Sequence, residues 1–170
     1  ADLSAAQADE SLYTADNYNA ICDLLGFAPY QMHLFRLDTT GALTDTLTEI
    51  SKTVKTGWLT IAGQSAADGL ALSAWVKTQD STKKKTYKAV CYDLTTLPDD
   101  MHVVNFINEK VTFSDDRGEK DGVAYLPSLV GIFAVCNVTR GSTNYQCSNL
   151  KEVQEVEDND AALGSGKFIL

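Results

Sequence analysis

The Ala-rich stretch over residues 1–22, ADLSAAQADESLYTADNYNAIC, most constrains what this chain can fold into. Its apolar residues, from Leu3 and Tyr13 to Ile21, recur at helical spacing on one face, whereas the acidic side chains point elsewhere. The run Asp16-Asn17-Tyr18-Asn19 offers side chains that compete for backbone hydrogen bonds, so it predicts a break in the helix. Because an isolated helix of about 15 residues is marginal in water, we expect this one to pack on the remainder of the chain.

Length and charge narrow the class of protein. A chain of 170 residues can bury the core of one domain, so we expect a single domain over residues 1–170. Residues 1–25 would form the helix and its break, and residues 26–170 a β-rich head. The net charge of −9 argues against nucleic acid and anionic membranes as partners.

Most of the later segments read as strands. Gly26 and Pro29 mark the end of the first helix. The spacing of Leu43, Leu47 and Ile50 predicts a second helix over residues 41–54. Residues 69–77 and 86–94 alternate, which predicts a hairpin with a basic tip. Further strands are predicted at residues 31–37, 56–63, 129–139 and 167–170, and residues 103–113 are compatible with either state. The expected fold is therefore α+β, with an amino-terminal helix packed on a mainly antiparallel sheet.

The four cysteines form an even set without the close spacing of a zinc site. Two disulfides in an oxidising compartment are the simpler interpretation. Of the three possible connectivities we favour Cys136 with Cys147, which would close a short polar loop, and Cys22 with Cys91, which would tie the first helix to a strand. The shorter loop would contribute roughly 2–3 kcal/mol by restricting the unfolded chain.

No catalytic or cofactor motif stands out. Ser65 follows Gly63 but lacks the second glycine of a nucleophile elbow, and no phosphate-binding or dinucleotide-binding glycine motif occurs. His33 and His102 have no metal-ligand or catalytic partners at short spacing, so they read as structural. We therefore expect no enzyme activity, no catalytic residues and no cofactor.

Two charged segments are candidate binding sites. Clustered carboxylates suit Ca²⁺, and the loop over residues 115–122 offers Asp115, Asp116, Glu119 and Asp121. Arg117 and Lys120 in the same loop oppose a cation, so a solvated loop is the simpler interpretation. The lysines at residues 83–85 likewise read first as a solvated tip, although they could pair with an acidic neighbour.

Three features resemble the globular domain of type IV pilins and pseudopilins. The first is the pattern at residues 1–22, quoted at Ala1, Asp2, Leu3, Ala6, Ala8, Asp9, Glu10, Tyr13, Asp16, Asn17, Tyr18 and Cys22. The second is residues 71–94, which look like a pilin strand pair ending in Cys and Asp. The third is the late cysteine pair Cys136 and Cys147, similar to the carboxy-terminal disulfide loop of many pilins.

The resemblance implies a structural subunit of an extracellular type IV pilus-like filament or secretion pseudopilus, located outside the cell, on its surface or in the periplasm. It implies that the apolar half of a longer helix is missing before Ala1. This segment would contact the membrane and other copies of the chain or related pilin subunits. Two alternatives remain from the residues themselves. One is a secreted β-rich domain that binds a ligand or protein in an apolar pocket lined by Trp58, Trp75 or Phe106. The other is a small secreted hydrolase built around His33 or His102.

Overall fold

The computed structural model describes residues 10–37, 41–96, 99–136 and 141–170, together with Ser4 and Thr139. The helices in this part of the chain are α1 (Ala15–Leu25), α2 (Leu43–Thr53), α3 (Ala66–Lys83), α4 (Leu126–Val135) and α5 (Asn159–Gly164). The strands are β1 (Thr56–Leu59), β2 (Thr86–Tyr92), β3 (Val103–Phe106), β4 (Lys110–Phe113), β5 (Glu119–Asp121), β6 (Leu150–Val153) and β7 (Lys167–Phe168). Short 3₁₀ turns cover Glu10–Leu12 and Gly122–Tyr125.

The strands form two sheets of different kind. The larger has the order β1-β2-β3-β7, and each of its three pairings is parallel. The smaller has the order β5-β4-β6 and is antiparallel. The predicted α+β fold with a mainly antiparallel sheet is therefore wrong, and the architecture is α/β. Parallel neighbours need a long crossover, and α3 provides the one between β1 and β2.

Strand β2 is the centre of the molecule because both of its faces are buried. On one face Tyr87, Ala89 and Cys91 pack with side chains of α2 and α3. On the other, Val90 packs with α4 and the antiparallel sheet, through a cluster that includes Phe106, Phe113, Tyr125, Leu126 and Leu129. Burial on both faces is typical of parallel strands between helical layers, and it places this strand in the middle of three layers.

Residues 69–77 are helical rather than a strand, so the predicted hairpin is wrong. They belong to α3, which begins at an N-cap: the Ser65 hydroxyl accepts a hydrogen bond from the amide of Asp68 and donates one to its carboxylate. Gly69, Leu72 and Val76 lie on the buried side of this helix, three and four residues apart as helical packing requires. Leu70 and Ala74 are also apolar, so the segment has the alternation of a strand as well as helical spacing. The cap pattern Ser65-Ala-Ala-Asp68 predicts the helix correctly.

The predicted break at residues 16–19 is also wrong. These residues form the first turns of α1, whose N-cap is Thr14; its side chain accepts from the amide of Asn17 at 3.4 Å. Polar residues that compete with helix hydrogen bonds are favoured just before and within a first turn, so they begin this helix instead of ending one. The end near Gly26 is confirmed, because its amide donates to the carbonyl of Cys22. Residues 1–3 and 5–9 of the predicted first helix lie outside the described residues.

Two other predicted strands are not strands. Residues 129–135 lie in α4, a buried apolar helix with Pro127 in its first turn, and residues 137 and 138 are outside the described part. Residues 31–37 take no regular structure. Short apolar runs do not distinguish buried helix from buried strand, which is the physical reason for the first error.

Several sequence predictions are confirmed. The helix expected at residues 41–54 is α2, and the strand expected at residues 86–94 is β2. The short apolar strand after Lys55 is β1, and the carboxy-terminal residues add β7 at an edge of the parallel sheet. Residues 103–113 contain two strands, β3 and β4, and the charged loop that follows contributes β5.

Candidate functional site

The most elaborate polar arrangement in the described structure is centred on Arg117. Its guanidinium bonds both carboxylate oxygens of Asp23 at 2.7 Å, and its Nε contacts Asp115 at 2.9 and 3.0 Å. The same group lies 3.8 Å from the ring centroid of Phe113. The arginine, planar and forked, is suited to such bidentate and stacked contacts. Arg117 thereby joins α1 to the turn between β4 and β5.

Asp23 and Asp115 share the single positive charge of Arg117. The hydrogen bond from Arg117 holds the pKa of Asp115 below its usual value, against the opposing effect of burial. Burial alone would lower the pKa of Arg117, but Asp23 and Asp115 raise it. Both carboxylates are engaged by the one guanidinium, and this geometry indicates a structural clamp. Sequence reasoning missed it because no local pattern links Asp23 to a loop 94 residues away.

A small cavity lies beside this clamp. Its volume is about 90 Å³. The lining residues are Cys22, Asp23, Gly26, Phe27, Ser148 and Asn149. Pockets for drug-sized ligands measure roughly 300–1,000 Å³, so this cavity is of the size of a few waters.

The structure does not gather the four candidate Ca²⁺ ligands. Asp115 is paired with Arg117, and Asp121 with Lys110. Glu119 and Asp121 lie in β5, whereas Asp116 is in the turn before it. Within the described residues, no group of three or more histidine, cysteine or carboxylate side chains is arranged to hold a metal ion.

The predicted disulfides are wrong, because all four cysteines are free. Cys91 is buried in the face of β2 that packs on α3, and burial raises the pKa of its thiol to about 11. Cys22 lies in α1, Cys136 is the C-cap of α4, and Cys147 packs against the core cluster that contains Val90 and Phe106. Of the four, Cys91 is the buried one, and it acts as a small core side chain, as free cysteines in cores often do.

The two histidines differ in their surroundings. His33 is exposed and stacks on Phe35. His102 lies between two carboxylates, with Nδ1 at 2.9 Å from Asp100 and Nε2 at 3.4 Å from Asp80. Burial would raise the pKa of Asp100, but hydrogen bonds from His102 and Lys77 outweigh it and lower that pKa. A general base needs a free ring nitrogen facing its substrate, and both nitrogens of His102 face aspartates. The cluster ties α3 to the loop before β3.

Of the aromatic residues predicted to line a pocket, Phe106 is in the core, and Trp58 and Trp75 are partly buried against it. Trp58 packs on Phe133 at a centroid distance of 4.9 Å, and Trp75 stacks on Tyr87 at the same distance. Phe106 is fully buried. They supply packing area between the layers rather than the wall of an apolar pocket.

The charged side chains are unevenly distributed over the surface. The ends of α2 and α3, where the chain enters β1 and β2, carry a lysine-rich surface that we call the basic end: Lys52, Lys55, Lys83, Lys84 and Lys85. The segment that leads from β6 through α5 into β7 carries exposed carboxylates that we call the acidic arm: Glu152, Glu155, Glu157, Asp158 and Asp160. In the strand order of the parallel sheet, β1 and β2 form one side and β7 is the edge of the other side, so these surfaces belong to opposite sides of the sheet. The structure thus places the lysines of residues 83–85 at the end of a helix, not at a hairpin tip.

The chain matches no protein-family profile and no curated relative. It is similar to solved structures of sheath tail proteins. With the one from Listeria innocua it shares 18% identity and a TM-score of 0.61, over 74% of this chain and 29% of that one. With the one from Desulfitobacterium hafniense the identity is 19% and the TM-score 0.66, over 79% of this chain and 32% of that one. The chain spans about a third of the length of these structures.

These findings correct the resemblance to type IV pilins. A pilin head would place one amino-terminal helix on an antiparallel sheet, whereas this chain has a parallel sheet between helical layers and four free cysteines. Among the described residues no helix is both long and apolar enough to cross a membrane. At such low identities the similarity establishes a shared fold, and that fold is the one found in part of the sheath tail proteins.

Proposed function

We propose that this chain is a structural building block of a sheath-type tail assembly, acting by contact with other copies of itself and not by catalysis. The observation that carries the proposal is the fold similarity, which extends over 74–79% of the chain. The pilus role and its pilin-specific partners are set aside, because no family profile matches and the similar solved structures reported above are sheath tail proteins.

The described polar groups are consistent with a structural role. In the Arg117 cluster and the His102 cluster the charged groups contact one another, and the described cavity is about 90 Å³. A small-molecule binding domain would need a larger apolar pocket, and a hydrolase would need a nucleophile beside a base with a free nitrogen. Nothing in the described residues favours either alternative over an assembly role.

Electron microscopy of tail-like particles from cells that produce the chain tests the proposal. Antibodies raised against the purified chain and coupled to gold should label tubular particles at regular intervals along their length, because a sheath contains many copies. Labelling should disappear when free chain is added as competitor. Gold confined to other structures, or particles free of label while the chain is abundant in the same cells, would contradict the proposal.

A further inference from the structure

We infer that the basic end of one copy binds the acidic arm of a second copy, in a head-to-tail contact between opposite sides of the parallel sheet. This inference rests on the proposed assembly role for its partner. The observations that carry it are the composition, positions and pairing of the two surfaces. The partner is a second copy because this chain itself offers the complementary carboxylates.

The basic end concentrates positive charge on an acidic chain. It holds five of the 14 lysine and arginine residues, although the net charge is −9. The sequence brings these five together because Thr56 at the start of β1 pairs with Thr86 at the start of β2, so Lys55 and Lys85 precede neighbouring strand ends. Part of this charge complements the carboxyl ends of α2 and α3.

Most of the positive charge at the basic end is not neutralised within the chain. Lys52 pairs with Glu49 at 2.6 Å. Lys85 reaches the carbonyl of Ser51, and Lys84 reaches that of Ser81 at 3.5 Å. Within the described residues, Lys55 and Lys83 are exposed and form no ion pair. The exposed ammonium groups are therefore available to carboxylates from outside the chain.

The acidic arm has the opposite character. Asp158 is occupied as the N-cap of α5, where it accepts from the amide of Ala161 at 2.9 Å. Glu155 and Glu157 are exposed and form no ion pair with any described residue. The arm leads into β7 at one edge of the sheet, and the basic end leads into β1 and β2 at the other side. The two surfaces are therefore suited to neutralise each other between copies.

A contact between two different surfaces of the same chain has a consequence for symmetry. Such heterologous contacts repeat from copy to copy and generate closed rings or open helices rather than isolated dimers. Either arrangement suits a subunit of a sheath. Charge pairs at a surface contribute modestly and are screened by salt, so the contact should be weak for an isolated pair of chains and gain strength when many copies engage together.

Zero-length cross-linking of amines to carboxylates, applied to an equimolar mixture of isotope-labelled and unlabelled full chain, tests the contact directly. Mixed-isotope peptides should join Lys55, Lys83 or Lys84 to Glu155 or Glu157. Their yield should fall at least about tenfold between roughly 50 mM and 500 mM NaCl, because the salt screens exposed charges. Intermolecular links confined to other surfaces would overturn the inference.

Charge-reversal variants provide a second test of the contact. A Lys55→Glu/Lys83→Glu chain and a Glu155→Lys/Glu157→Lys chain should each lose the self-links, and mixing the two should restore links between them. Lys120→Glu, on exposed β5, makes the charge change outside both surfaces and should leave the links as in wild type. Failure of the mixed variants to restore links, with circular dichroism spectra as in wild type, would refute the contact. Binding of the lysines to a polyanion such as heparin with no links between copies would refute it too.

The two proposals fail independently. Gold-labelled tubes without the Lys–Glu links would leave the assembly role standing and remove this contact. Absence of the chain from tubes, with the links present, would keep the contact and remove the assembly role.

Discussion

Arg117 and Asp23 form a bidentate ion pair with two N···O distances of 2.7 Å, although 94 residues separate them. Their side chains are 17% and 7% exposed, so the pair is largely withdrawn from water. It connects α1 with the β4–β5 turn, and Phe113 packs under the guanidinium. A buried pair is costly to break from one side because the remaining charge keeps its burial and loses its partner.

Arg117→Ala should therefore lower the free energy of unfolding by about 3 kcal/mol. The measurement is urea denaturation followed by circular dichroism. Asp115→Asn is the matched control, since Asp115 is 47% exposed and Arg117 keeps Asp23 as its partner when Asp115 is changed. The interpretation would be wrong if the two variants lost the same small amount of stability.

Gly131→Ala should destabilise the packing of α1 on α4. A Cβ at Gly131 would lie 2.7 Å from the carbonyl oxygen of Leu24 and 2.9 Å from the ring of Phe27. We expect a loss of about 1–3 kcal/mol from this overpacking, measured by thermal or urea unfolding. Gly164→Ala in α5 meets nothing within 4 Å, so it should be neutral or stabilise the protein slightly. Equal effects at the two glycines would contradict the close approach of the helices.

Asn105→Leu should cost about 2–4 kcal/mol, because it leaves two buried backbone groups without partners. The Asn105 side chain accepts from the amide of Leu94 at 2.9 Å and donates to its carbonyl at 3.0 Å. The side-chain amide of Asn105 in β3 thus binds the backbone of Leu94, which lies in the connection between β2 and β3. Asn159→Leu, at the exposed start of α5, is the control and should change stability little. Chemical denaturation measures the stability of both variants.

Thiol titration checks the four free cysteines. In denaturant without reductant, a thiol reagent should detect all four. In the folded protein Cys91 should react last, because it is buried and its pKa is raised to about 11, which suppresses the reactive thiolate. A Cys91→Ser variant should lose the slowest phase. Fewer than four thiols in the denatured, unreduced protein would contradict the structure.

Stability should fall in acid through Asp115 and Asp100. Both carboxyls have pKa values below their usual range in the folded protein, Asp115 through Arg117 and Asp100 through His102 and Lys77. A folded pKa below the unfolded value of about 3.9 contributes stability above that value, and the contribution is lost as the pH falls through the folded pKa. Urea midpoints measured between neutral pH and about pH 2 should decline below about pH 4.

The variants Asp115→Asn and Asp100→Asn should each show a smaller decline of the urea midpoint in acid, while remaining folded at neutral pH. A decline as large as in wild type in both variants would show that other carboxyls cause the loss of stability in acid.

Local patterns predicted several elements correctly. The spacing of Leu43, Leu47 and Ile50 indicated α2, and the run from Thr86 to Tyr92 indicated β2. Gly26 marked the end of α1. These signals succeed because helix periodicity, strand alternation and helix termination depend on residues within one or two turns of each other.

Other patterns were ambiguous for the same local reason. Residues 69–77 satisfy both alternation and helical spacing, and the choice is made by the Ser65 cap and by burial of Leu72 and Val76 against β2. The apolar run of α4 is compatible with a strand until its length and Pro127 are weighed. In both segments the local helix signals, the Ser65 cap and Pro127, agree with the tertiary packing.

The sequence by itself determined the acidic character of the chain, its α2 and β2 elements and its lack of a recognisable catalytic motif, because these depend on composition and short spacing. Only the tertiary structure decided that the sheet is parallel, that the cysteines stay apart as free thiols, and that Arg117 meets Asp23. It also decided that the lysines and the carboxylates belong to opposite sides of the sheet. Each of these relationships joins residues distant along the chain, and strand order and crossover connections set those distances, which short sequence patterns do not encode.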